Sequence, residues 1–119
     1  MATNEKLAGG ELHAAITRAL VGIQNQFLGR GPKTASTFHY NNVVMTLMND
    51  VLTPADKVLA QTNRDDAVVS IRHLYQKTMQ ADFTAAVERL TERKVIAFIS
   101  GNHVDPDIAA EIFILDTPI

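Results

Sequence analysis

The spacing of apolar residues along this chain alternates between helical and strand periods, and the switches outline seven elements. Leu12, Ile16, Leu20, Ile23 and Phe27 recur at strides of 4, 4, 3 and 4, with Glu11, His13, Thr17, Arg18, Gln24 and Gln26 between them. That is the seam of an amphipathic helix. Gly29 is placed to close it in a left-handed conformation, and Pro32 forbids its continuation.

From Thr34 the period becomes two. Ser36, Phe38 and Tyr40 alternate with Ala35, Thr37 and His39, and Val43, Met45 and Leu47 alternate with Val44, Thr46 and Met48. Asn41-Asn42 lies between them, and asparagine tolerates positive φ, so a two-residue hairpin turn is expected. This turn sets Tyr40 opposite Val43, Phe38 opposite Met45 and Ser36 opposite Leu47. One face then carries aromatic and long aliphatic side chains. The other, with His39, Thr37 and Thr46, is more polar.

Thr53-Pro54-Ala55-Asp56 reads as a helix start: a capping threonine, proline in the first turn and an answering carboxylate. A short helix to Gln61 follows, and a second start near Thr62 to Asp65 opens a long one. Its apolar positions, Val68, Ile71, Tyr75, Met79, Phe83, Ala86 and Leu90, average close to the helical period of about 3.6. Lys94–Ser100 and Ile108–Leu115 are β-branched and aromatic, separated by the turn-rich Gly101–Asp107. The expected fold is α+β, in the order α-β-β-α-α-β-β. Two hairpins form an antiparallel four-stranded sheet with helices over one face. The whole chain reads as a single domain, with residues 1–7 expected to be flexible.

Composition narrows the function more by exclusion than by assertion. A length of 119 residues suits one core, and 46% hydrophobic with 20% charged residues is ordinary for a globular protein. A net charge of −2 supplies no field for nucleic acid or anionic lipid, and no nucleic-acid partner is expected. The absence of cysteine excludes disulfides, thiolate metal sites and thiol nucleophiles. The polar Met1–Lys6 start lacks the form of a signal peptide, and no run approaches the ~18 apolar residues of a membrane span. A cytoplasmic location is expected.

Gly29-Arg30-Gly31-Pro32-Lys33, the hairpin after it, and Val51-Leu52-Thr53-Pro54-Ala55-Asp56-Lys57 together resemble the MpsC-like family. That family is named for a component of the Na+-translocating membrane-potential-generating system. The likeness runs from about Ala8 to Asp116, through Leu90-Thr91 and the closing strands. It implies a small cytoplasmic bacterial protein, peripheral to the inner membrane through a partner in a cation-translocating or bicarbonate-uptake system. It implies no reaction and no cofactor. One departure is visible: Ser100–Asp107 replaces the Ser-Asp-rich, Thr-Gly-Glu type turn usual between the last two strands of the family.

Among candidate sites, the Gly29–Lys33 turn stands first. Arg30 with planar donors, the free backbone at Gly31, and the Lys33 ammonium suit an anion or an acidic protein segment. The same residues also suit a plain helix-to-strand corner, and the spacing is not that of a nucleotide-binding loop. His103, Asp105 and Asp107, with Glu111, have metal-ligand chemistry, but a hairpin tip has the same composition without metal. His39 and His73, with Asp50 or Asp66, form no spacing that brings an acid–base pair together. No nucleophile motif is present, so an enzyme is not expected. A homodimer is expected, from an apparent apolar surplus at Val44, Met48 and the long helix seam. The leading expectation is a partner-binding or regulatory module of a membrane system. A small-molecule or nucleotide sensor is the alternative, and nucleic-acid binding a weaker one.

Overall fold

The computed structural model describes residues 7–119, so the expectation for the first six lies outside it. The elements are α1 (Gly9–Leu28), β1 (Thr34–Tyr40), β2 (Val43–Asn49), α2 (Pro54–Gln61), α3 (Asp65–Thr91), β3 (Val95–His103) and β4 (Ile108–Leu115). The sheet is antiparallel throughout, in the order β1-β2-β4-β3. This is the expected α+β order. The hairpin register is also as expected, with Tyr40 opposite Val43 and Phe38 opposite Met45. Asn41 makes the turn at φ 53°.

All three helices lie on one side of the sheet: α1 packs on β1 and α3, α3 on β3, and α2 on α3. Gly29 closes α1 at φ 74°, donating its N–H to the Asn25 carbonyl at 2.9 Å. Gly31 then runs beside α1, where a Cβ would stand 3.3 Å from Val21 Cγ1. The core holds Leu12, Ile16, Leu20, Val44, Met48, Phe83, Phe113 and Leu115, each at most 1% exposed. Each such side chain contributes about 1.5–3 kcal/mol by leaving water. α1 departs from its expected seam at the end: Gln24 is buried, while Phe27 is 43% exposed.

Two differences in the second half have physical reasons. β3 continues through Gly101 and Asn102 to His103, because pairing with Ala110, Ala109 and Ile108 holds these turn-prone residues extended. The connection shrinks to Val104–Asp107, with a cis Asp105-Pro106 peptide. In α3 the buried line runs Val68, Arg72, Gln76, Met79, Phe83, so two polar residues occupy its first half. Ile71 and Tyr75, expected on the seam, are only half-buried.

The sheet faces divide in an unexpected way. The covered face contains Val44, Met48, Phe98, Phe113 and Leu115, but also a polar row across all four strands: Thr37, Thr46, Glu111 and Ser100. The open face carries the row Phe38–Met45–Ile112–Ile99 and, beside it, Tyr40–Val43–Ile114–Ala97. Val44 and Met48, the expected surplus, are fully buried within the monomer. The apolar surplus exists on the opposite face.

Candidate functional site

Three sequence candidates converge on the short connection between β2 and α2. The Arg30 guanidinium donates to the carbonyls of Leu52 at 2.7 Å and Asp50 at 3.0 Å, and lies 3.5 Å from the Asp50 carboxylate. From the other side, Asp107 accepts from the Val51 and Leu52 N–H groups at 3.1 and 3.0 Å. Its own carbonyl accepts from Asp50 N–H. Asp50 sits at φ 59°, a conformation held by these contacts on both sides. Thr53 and Asp56 complete the capping box at 3.0 and 3.2 Å. The Gly29–Lys33 turn and the β3–β4 hairpin are thereby clamped to one backbone segment.

Beside this clamp opens a cleft of about 510 Å³, lined in part by Asp50, Leu52, Lys57, Val104, Asp105 and Asp107. Lys57 pairs with Asp50 at 3.4 Å. Carboxylates outnumber the cation in its wall. Arg30 is engaged by protein acceptors, whereas Lys33 is exposed, its backbone N–H alone tied, to Asn49. His103 Nδ1 meets the Pro106 carbonyl at 2.8 Å. His103 and Asp107 thus face backbone groups, while Asp105 lines the cleft. Among the described residues no group of three or more His, Cys, Asp or Glu has metal-binding geometry.

Behind the clamp lies a buried ionic cluster that apolar spacing gave no sign of. Arg72 is 1% exposed, its Nη1 3.6 Å from Asp56 Oδ2, and its guanidinium lies 5.5 Å from the Tyr75 ring centre. Burial lowers its basicity, while Asp56, Asp107, Glu111 and Tyr75 oppose that effect. One turn on, Gln76 donates to Asn102 at 2.6 Å and to Glu111 Oε1 at 3.2 Å. Burial pushes the Glu111 carboxyl up to about 7, against the pull of Arg72 and Gln76. Among the described residues, Glu111 Oε2, Asn102 Nδ2 and Ser100 Oγ have no hydrogen-bond partner. Three carboxylates, Asp56, Asp107 and Glu111, share the one Arg72 guanidinium, so the charge of the buried Glu111 is only partly offset.

His39 does not join an acid–base pair with His73, which is exposed on α3. Its partner is His13 of α1, with Nε2 of His13 2.7 Å from Nδ1 of His39. Burial, and then His39, lower the basicity of His13.

With this geometry in hand, comparison with known families is decisive for kinship. The family model described as "Na+-translocating membrane potential-generating system (MpsC)" matches residues 8–117. The chain belongs to the MpsC family. The family link thus connects this MpsC domain to a Na+-translocating membrane system, and the match spans every element from α1 to β4. No curated protein and no solved structure matches it. Among the described residues, no helix is long and apolar enough to cross a membrane.

Proposed function

We propose that this MpsC domain is a non-catalytic partner-binding module that regulates a Na+-translocating membrane system from its cytoplasmic side. The observation that carries this is the open sheet face, apolar across four strands, with Phe38 46%, Tyr40 77% and Ile99 56% exposed. Contiguous apolar patches of that kind mark protein contacts. The Gly29–Lys33 turn lies at one end of the sheet and offers the Lys33 ammonium to an acidic segment, with Arg30 and Gly31 shaping the corner around it. Co-expression with the membrane subunits of such a system tests the role. The domain is expected to co-elute with them in mild detergent and to change Na+ flux in proteoliposomes. Elution alone, with flux identical in its presence and absence, refutes it.

Ligand sensing has one observation in its favour, the cleft beside Lys57, whose volume falls in the usual range of small-molecule sites. A ligand at 100 times its Kd would add about 2.7 kcal/mol of stability. Thermal-shift screening with nucleotides, bicarbonate and phosphate measures it, and a flat melting temperature throughout excludes sensing.

A further inference from the structure

We infer that the open sheet face is covered by a second copy of this chain, sheet on sheet, about a two-fold axis parallel to the strands. The inference rests on the open face being a protein-docking surface, which a second copy occupies reversibly when the membrane partner of that reading is not bound.

The first support is charge. Along the register, the positions on this face from Ser36 to Tyr40, Val43 to Leu47, Ala110 to Ile114 and Ala97 to Gly101 include no Asp, Glu, Lys or Arg. Such a face offers a charged partner nothing to pair with. Its complement is another uncharged apolar face, and a second copy presents one at equal concentration.

The second support is shape. Bulk is unevenly distributed: β1 at one edge carries Ser36, Phe38 and Tyr40, while β3 at the other carries Gly101, Ile99 and Ala97. With the order β1-β2-β4-β3, a two-fold axis along the strands lays β1 of one protomer over β3 of the other. Tyr40 then meets the partner copy's small edge, and Met45 and Ile112 meet at the centre. In both halves Tyr40 falls on the small Ala97, Phe38 packs against Ile99, and Ser36 lies over Gly101. Stacked sheets pack about 10 Å apart with strands within about 30° of one another, which this pairing allows.

Area sets the strength of the pair. Four strands about 4.8 Å apart, over three rows of side chains about 6.7 Å apart, give a footprint of ~400 Å² per protomer. That is about 800 Å² for the pair, below the roughly 1,200–2,000 Å² of stable interfaces and in the range of weak, transient ones. The pair is therefore a reversible dimer, not an obligate one.

Sedimentation equilibrium on the whole chain tests this. The expected result is a concentration-dependent mass approaching twice 13.0 kDa in the micromolar range. A mass of one chain at every concentration overturns the inference, whether or not a membrane partner is found. Met45→Lys and Ile112→Lys should each raise the dimer Kd by more than about tenfold. A dimer that survives both in folded protein overturns the inference too. Because the chain has no cysteine, single Ser36→Cys and Gly101→Cys variants give an independent measurement. A Cβ at Gly101 meets nothing within 4 Å, so the variant should fold. A short bismaleimide should join the two variants to each other more readily than either to itself. Equal or absent cross-linking rejects the edge-over-edge arrangement.

Discussion

The two faces of one sheet bury opposite kinds of surface from those a hydropathy count selects. The covered face includes Glu111, Thr37, Thr46 and Ser100, and the open face includes no formal charge. What decides the matter is size and fit under the helices, not polarity alone. Phe113, Leu115, Val44 and Met48 fill the space beneath α1 and α3, and the polar row is carried in with Thr37 bonded to Thr46 and Glu111 to Gln76, while Ser100 Oγ lacks a partner. The face left open is the one whose apolar groups another sheet can cover.

The sharpest way to break this comparison is to truncate neighbours on β4. Phe113 is fully buried, whereas Ile112 points to the open face and is half-buried. Phe113→Ala is expected to lower the unfolding free energy by about 3–5 kcal/mol, as core aromatic truncations do. Ile112→Ala should cost under about 1 kcal/mol at concentrations where the chain is monomeric, as surface changes do. Urea denaturation measures both, and equal costs would mean that the two faces are not distinct.

Next in size is the buried ionic cluster. Arg72→Met keeps volume and removes the cation facing Asp56, Asp107 and Glu111. Breaking a buried pair from one side costs about 3–5 kcal/mol, since a charge remains uncompensated. Circular dichroism in urea reads the loss. A cost below about 1 kcal/mol would show that these carboxylates are solvated in the folded state.

Glu111 gives a pH-dependent version of the same contrast. Its folded value of about 7 lies above the ordinary 4.5, so the folded state binds more protons than the unfolded state between those values. Stability from this group is complete below pH 4.5 and is lost as pH rises to about 7 and beyond. The loss amounts to about 3 kcal/mol on the linkage relation. Glu111→Gln, which keeps an oxygen acceptor for Gln76, should flatten that slope. His13 titrates in the opposite sense, its lowered basicity favouring the fold as pH rises. The difference between wild type and Glu111→Gln therefore isolates the carboxyl, and parallel pH profiles would refute its burial as an acid.

Much of this was legible in the residues. Gly29, Asn41-Asn42 and Thr53–Asp56 act through local backbone rules, so their roles and the element order follow from a few neighbouring residues. The hairpin register follows from the two-residue turn. What was not legible depends on long-range contacts. Nothing near Arg30 in sequence says that carbonyls at Asp50 and Leu52 await its guanidinium. Arg72 and Gln76 interrupt an otherwise apolar seam, and Ile71 and Tyr75 beside them supply an equally good helical period. Glu111 is the only charge within β4, and a charge on a strand ordinarily marks the solvent side; its stride from Ala109 and Phe113 was the available sign that it points inward.

The smallest effect tests how the polar row is tolerated. Thr17 Oγ1 donates to the His13 carbonyl at 3.0 Å, and 2.7 Å contacts join it to Thr37 and Thr37 to Thr46. A hydroxyl has one proton, so Thr37 donates to Thr17 and Thr46 to Thr37. The chain has a direction, and its two inner members are therefore unequal. Thr37→Val deprives the fully buried Thr46 hydroxyl of its acceptor and should cost about 1–3 kcal/mol. Thr46→Val leaves every remaining donor with an acceptor and should cost less. Adding Thr46→Val to Thr37→Val should restore stability, because no stranded hydroxyl remains. A double-mutant cycle by urea denaturation reads the coupling. Additive losses would mean that the row is solvated rather than closed under the helices.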